Sequence, residues 1–416
     1  MILYHDDVFH RYTDIDMKIL ILQDDFPPYH TGGAGGVAFN LAKEFAGRGH
    51  TVLVITAVQY KDHCGRTIMD GIDVIKIQSD YHPRWRGYRS IYNPPVIGEV
   101  KRIMKDFAPD IVHAHNLHFH LSYYSLVLAR RYAKQIYLTV HDADAFYLGK
   151  FIESKKLSFW RLIYLYKWRY NPFRNIILRH ILSHNVDAIV AVSDALRRAL
   201  NGHGIKKVAV IHNGIDLGDW QRPLQYESFK NTYGLGDSVI LFGGRLSGLK
   251  GAINIIEALK ISHGAVPDVQ LMIIGKKDAY AEKMLVLARK LGVADRIIFT
   301  DWIAGEELRA AYYAAAVVTV PSVYLDPFPT VNLEAFACSK PVVATCFGGS
   351  PEIVLDNVCG YIVDPSDISA MSIKINDLLI DKEKATRFGQ AGYARVTKDF
   401  SLSSQVEAYE RIFKIL

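Results

Sequence analysis

No apolar run in these 416 residues approaches the ~18 consecutive residues that suggest a membrane-spanning helix, so none is expected. The stretch from Met1 to Asp16 is rich in Asp and His and lacks the apolar centre of a secretion signal, which points to a cytoplasmic protein. Cysteine is scarce: Cys64, Cys338, Cys346 and Cys359 show no metal-ligand spacing, and so few in so long a chain fit a reducing compartment, with four thiols expected. Charge of one sign is not in large excess. A net charge of +6 over this length argues against a dedicated nucleic-acid binder, and no nucleic acid is expected as a partner. No short-period repeat is visible either.

What is present is 50% hydrophobic and 22% charged, the composition of a soluble globular protein too long for one ordinary core. Residues 1–16 read as an extension of unassigned role, with Met17 an alternative start. Lys18–Gln23 reads as a buried strand, Thr31-Gly-Gly33-Ala-Gly-Gly36 as a glycine loop, Val37–Phe45 as a helix and Thr51–Thr56 as the next strand, a unit that builds parallel sheets. Asp70-Gly71 marks a hairpin between Arg66 and Ile77. Strand and helix then alternate, with a helix expected from Phe119 to Ala133. The fold class is α/β, with two doubly wound Rossmann-like domains expected on either side of a cleft.

Three stretches carry chemistry. The strand Ile136–Val140 delivers His141-Asp-Ala-Asp144 to its carboxyl end, where ligands sit in open α/β sheets. The strand Ser238–Phe242 runs into Gly243-Gly244-Arg245 and on to Lys250-Gly251, two cations beside a glycine turn, which suits a diphosphate. Ser322-Val-Tyr-Leu-Asp326-Pro-Phe-Pro329-Thr330-Val331-Asn-Leu-Glu334 opens a helix near Thr330, whose hydroxyl is expected to cap the first turn, and places carboxylates on both sides of that helix start. Phosphate suits the helix start and sugar hydroxyls suit the carboxylates. Each stretch has an ordinary alternative as a strand-end histidine, a solvated loop pair or a capped core helix. Metal-like clusters at His113, His115, His118 and His120 and at Asp142 and Asp144 compete with ordinary strand-end residues, and no metal is expected.

Residues 150–179 interleave Lys and Arg with Phe, Trp and Tyr around the single acid Glu153, and residues 81–89 have the same character. Such a pattern suits an anionic membrane surface, or else a solvated basic face whose aromatics pack on the domain. A membrane-docked enzyme on the inner face would take a lipid-linked acceptor.

The ordered set of Gly32-Gly33 with Gly49-His50, His141-Asp142, Asn213-Gly214-Ile-Asp216, Gly244-Arg245 with Lys250-Gly251, and Pro321-Ser322 through Glu334-Ala335 with Pro341-Val-Val-Ala resembles the nucleotide-sugar-dependent retaining glycosyltransferases of family four, from about Met17 onward. That resemblance implies the two-domain GT-B fold. It places an acceptor-side domain at 17–214, a donor-binding domain at 215–397 and a last helix, 398–416, that packs back on the first domain. It implies that Arg245 and Lys250 hold the donor diphosphate, that Gly33 approaches it, that His141 lies beside the transferred sugar, that position 326 meets that sugar and that Glu334 bonds the ribose. Gly244, Thr330 and Val331 complete the expected donor-binding set, and His141, Asp326, Arg245 and Lys250 the catalytic one.

Two positions depart from the family pattern: Asp326 stands where Glu is usual, and Pro329, which has no N–H, where Gly is usual. The expected activity is metal-independent, retaining transfer from a nucleotide diphosphate sugar to a glycan or lipid-linked hydroxyl, in cell-surface polysaccharide or glycolipid synthesis, with no cofactor. A nucleotide-sugar epimerase, a sugar phosphorylase or a non-catalytic nucleotide-sugar sensor is the alternative.

Overall fold

The computed structural model describes residues 16–28, 33–144, 172–220, 226–244 and 246–415. The 1–15 part of the extension, residues 150–171 of the basic-aromatic segment and Arg245 lie outside the described residues. Two compact units form. One gathers the chain up to Thr139, the helix Pro172–Asn185 and the residues from Glu410 onward, and the other the stretch from Val140 and the residues from Val190 to Tyr409.

Eight strands make the first sheet: β1 (Lys18–Gln23), β2 (Thr51–Val58), β3 (Gly65–Met69), β4 (Ile72–Gln78), β5 (Ile111–His115), β6 (Gln135–Val140), β7 (Ala188–Ala191) and β8 (Val208–Val210). Their order is β3-β4-β2-β1-β5-β6-β7-β8. Ile19, Leu20, Ile21 and Leu22 are all fully buried, as expected of a parallel strand covered on both faces. The hairpin is where the sequence places it: β3 pairs antiparallel with β4 across Asp70 (φ 48°) and Gly71 (φ 80°), two left-handed residues as a tight hairpin turn requires.

Two elements differ from expectation. Gly33, Gly35 and Gly36 are not loop but the first turn of the helix Gly33–Gly47. A Cβ on Gly35 would lie 2.4 Å from the Asp25 carbonyl oxygen, so glycine serves close packing there. The helix expected over Phe119–Ala133 shrinks to Tyr124–Ala129. The buried carboxylate of Asp24 accepts the backbone N–H groups of Phe119 (2.7 Å), His120 (3.0 Å) and Leu121 (2.7 Å), holding the chain in a loop that helical periodicity does not reveal. Burial pushes the Asp24 carboxyl up to about 7, against those three donors.

Within the same unit, the end of the last helix, Leu402–Ile415, is pinned at several points. Glu410 bonds Arg48 and His50, each at 3.3 Å, the Tyr137 hydroxyl donates to the Ile412 carbonyl (2.9 Å), and the Phe413 ring packs on Phe45 and Tyr137.

The second sheet holds β9 (Val239–Gly243), β10 (Gln270–Ile274), β11 (Ile297–Phe299), β12 (Val317–Val320), β13 (Val342–Thr345) and β14 (Gly360–Val363), in the order β11-β10-β9-β12-β13-β14. Every pairing is parallel. Ile255, Ile256 and Leu259 of the helix Ala252–Ala265 and Ile375 and Leu378 of Ile368–Ile380 join Ile240, Phe242, Leu271 and Ile273 in its core. The strand order reverses between β9 and β12, and the crevice outside their carboxyl ends is where such sheets bind ligands. No helix among the described residues is long and apolar enough to cross a membrane, and Cys64, Cys338 and Cys359 are free thiols.

Candidate functional site

The loops leaving β9 and β12 are joined backbone to backbone. Gly251 has φ +77°, and a Cβ on it would lie 1.9 Å from the Pro321 carbonyl oxygen, while the Val323 N–H donates to the Leu249 carbonyl at 2.9 Å. The contact brings Lys250 Nζ to 2.6 Å from Asp326 Oδ2, and Ser322 Oγ donates to the same oxygen at 2.8 Å. Tyr324 adds a third donor. Burial alone would raise the Asp326 carboxyl, but the Lys250 ammonium and the two hydroxyls outweigh it and hold the group below the usual carboxylate range. Asp326 is therefore an anion at neutral pH, and Lys250 its counter-charge.

A third loop holds Asp326 from behind. Gly348 (φ +69°) would put a Cβ 2.1 Å from the Asp326 carbonyl oxygen, and the Gly349 N–H donates to that oxygen at 2.9 Å. Next along the chain, Glu352 accepts the N–H groups of Asp194 (2.7 Å) and Ala195 (2.8 Å) at the start of the helix Asp194–Gly202, and bonds His212 Nε2 at 3.0 Å. Burial pushes the Glu352 carboxyl upward, but these partners prevail and keep it low. His212 stacks on Phe328 with ring centroids 5.1 Å apart, so the loop carrying Asp326 rests on this anchored pair.

Glu334 lies on the helix Thr330–Ala337 and receives a hydrogen bond from the buried hydroxyl of Tyr312. The expected Thr330 cap does not form. Pro329 is the N-cap residue and has no side chain that could bond the first turn, whereas Thr330 is already helical and bonds Glu334, one turn on. Burial raises the Glu334 carboxyl, against both hydroxyls. The Trp220 and Tyr312 rings meet nearly at right angles with centroids 5.3 Å apart, and Val331 lies 3.4 Å from where a Gly243 Cβ would be, closing the carboxyl end of β9.

The structure thus gathers Lys250, Asp326, Thr330, Val331 and Glu334 around the switch point of one sheet. Gly244 lies there too, at φ +124° with open space where a Cβ would stand. Arg245 falls outside the described residues. Gly33 belongs to the other unit, where it is the exposed first residue of its helix with nothing near its Cβ position. Ser322, Tyr324, Tyr312 and the Glu352–His212 pair are additions. Ser322 and Tyr324 were within reach of sequence reasoning, being four and two residues from Asp326; Tyr312 is brought in by another helix, with no local signal.

His141 follows β6 and is buried, which pushes its imidazole down to about 4 and keeps it neutral near pH 7. Because the folded value lies below the ordinary 6.5, its stabilising contribution is complete above pH 6.5 and is lost as the pH falls from there towards 4. His141→Asn should flatten that fall by up to about 3 kcal/mol, measured by denaturant unfolding across this range. Asp24 runs the other way, its raised carboxyl losing a proton near pH 7, so the difference between variant and parent isolates the imidazole.

Comparison with known proteins agrees with this geometry. Residues 31–219 match the family model "Glycosyltransferase Family 4", and residues 226–395 match "Glycosyl transferases group 1". The GDP-mannose-dependent alpha-(1-6)-phosphatidylinositol monomannoside mannosyltransferase of Mycolicibacterium smegmatis is 34% identical over 54% of this chain, and the match spans only 61% of that relative's length. Glycogen synthase of Mycobacterium tuberculosis is 26% identical over 95% of this chain and 94% of its own. Among solved structures, sucrose-phosphate synthase from Thermosynechococcus elongatus superposes with a TM-score of 0.77 at 21% identity, covering 95% of this chain and 98% of that one. Anabaena HepE, solved in complex with UDP-glucose, gives 0.73 at 21% identity over 96% of this chain and all of its own. The two matched regions divide the chain between them, and one contains the whole Lys250, Asp326 and Glu334 constellation: the chain belongs to the family-four glycosyltransferases and has their GT-B fold.

Proposed function

We propose that the protein transfers a sugar from a nucleotide diphosphate sugar to a hydroxyl of a glycan or lipid-linked acceptor, with retention at the anomeric carbon and without a metal, in the synthesis of a cell-surface polysaccharide or glycolipid. The observation that carries the donor half is the pair of acids at one switch point, Asp326 buried and Glu334 half-buried, each held by its own partner: Asp326 by Lys250 and Glu334 by Tyr312. An ammonium at that point neutralises charge on the departing diphosphate, which lowers the barrier to breaking the sugar bond. Glu334, with Tyr312 and Thr330 fixing its orientation, offers its carboxylate to the vicinal hydroxyls of a ribose. Asp326 faces the sugar, Arg245 joins Lys250 on the diphosphate, and His141, neutral at the end of β6, accepts or donates a hydrogen bond without adding charge. Retention and metal independence follow from the resemblance to the family.

GDP-mannose stands in the name of one relative and UDP-glucose in another protein's complex, so both belong in a donor panel. The test is a thermal-shift screen of nucleotide sugars, followed by release of nucleoside diphosphate from the best stabiliser with and without acceptor glycans or glycolipids. Acceptor-dependent release is expected. A donor altered without any acceptor would make the protein an epimerase, and binding without release a sensor.

A further inference from the structure

The helix Pro172–Asn185 buries Leu178, Ile181 and Leu182 against the domain but leaves a second apolar face uncovered. Arg174 and Asn175 are buried, both 4% exposed, while Phe173 (76%), Ile176 (56%) and Ile177 (49%) stand in solvent. Those three positions share one face of the helix, and a surface helix ordinarily keeps polar side chains on a face it does not bury. Arg174 fixes this orientation. Its Nε donates to the Gly87 carbonyl (3.2 Å) and to Ser90 Oγ (3.0 Å), and its Nη2 donates to Ser90 Oγ (2.9 Å). The same bonds join the helix to the segment 83–89, where Trp85 (48%) and Tyr88 (67%) are exposed and Arg84 lies over the Trp85 ring at 5.4 Å. Neither segment contains an acidic residue, and Arg84 and Arg179 are exposed beside the apolar side chains.

We propose that this face, built from the helix Pro172–Asn185 and residues 83–89, docks on an anionic lipid bilayer. Charge complementarity selects that occupant: a basic rim without acids attracts anionic headgroups, Trp and Tyr settle at the headgroup level, and Phe173, Ile176 and Ile177 enter the acyl boundary. A second copy of the chain is disfavoured, because a two-fold contact would set the same arginines against one another. Docking is independent of the donor chemistry and is measured without substrate, so its failure and the failure of the transferase reading are separate results.

The experiment is co-sedimentation of the full chain with phosphatidylcholine vesicles, with and without phosphatidylglycerol. Binding to the anionic vesicles is expected to exceed binding to neutral ones at least ~10-fold and to fall with added salt. The double variant Ile176→Ser/Ile177→Ser should lose at least ~10-fold of that binding and Arg84→Gln a smaller part, while both keep the parent's thermal shift with nucleotide sugar. Both isoleucines are exposed, so the substitutions leave the core intact. Absence of binding to anionic vesicles, or unchanged binding by the double variant, overturns the proposal. So does a concentration-dependent dimer that the double variant abolishes, which would make the face a contact between copies.

Discussion

Lys250→Ala should lower sugar transfer by at least ~100-fold, the scale of removing one charge-stabilising group from a transition state. It should also destabilise the fold. The Lys250 side chain is 21% exposed and that of Asp326 6%, and stripping the partner from a buried carboxylate costs about 3–5 kcal/mol unless the acid takes up a proton. The two consequences separate in the double variant Lys250→Ala/Asp326→Asn. Without the uncompensated charge, Ser322 and Tyr324 still reach the side chain at 326, so stability measured by denaturant titration should recover most of the loss while turnover stays low. Recovery of both would reduce Lys250 to a structural counter-ion, and near-parent transfer by the single variant would remove it from the chemistry.

Gly251→Val should be the most damaging single change to the fold of the donor-side sheet. At φ +77° a β-branched residue is strained, and its Cβ would stand 1.9 Å from the Pro321 carbonyl oxygen and 2.8 Å from its carbon, backbone atoms that no rotamer change can move. Gly292 provides the comparison. It closes the helix Ala279–Leu291 at a similar φ, +72°, with nothing within 4 Å of its Cβ position. Gly292→Ala should therefore cost only the left-handed backbone penalty of about 1–2 kcal/mol. Gly251→Val should exceed about 4 kcal/mol and, by parting the loops after β9 and β12, lose donor-dependent thermal stabilisation. Equal losses in the two variants would show that the loops are not locked by close contact.

Features fixed by local chemistry were legible in the sequence. Asp70-Gly71 made its hairpin because two adjacent left-handed residues are what that turn requires, and the opening of a helix at Thr330 followed from the break imposed by the Pro-rich loop. The misreadings have separate causes. Gly33, Gly35 and Gly36 look like a flexible loop, but they open a helix in which Gly35 passes close to the Asp25 carbonyl; the helix after Phe119 is interrupted by Asp24, more than ninety residues away along the chain. Thr330 was expected to cap backbone and instead bonds Glu334, because the proline before it already occupies the cap.

The candidate site divides in the same way. Lys250, Asp326 and Glu334 could be read from spacing and resemblance. The direct bond between Lys250 and Asp326 and the hydroxyl that Tyr312 supplies to Glu334 depend on neighbouring strands and helices, which carry no mark in the linear order.

A structure of the protein with the nucleotide sugar that most raises its melting temperature tests the central assignment most directly. The diphosphate should lie within hydrogen-bonding distance of Lys250 Nζ, the ribose hydroxyls on the Glu334 carboxylate and the sugar beside Asp326. A donor bound away from the crevice between β9 and β12, or one whose ribose turns from Glu334, would contradict it.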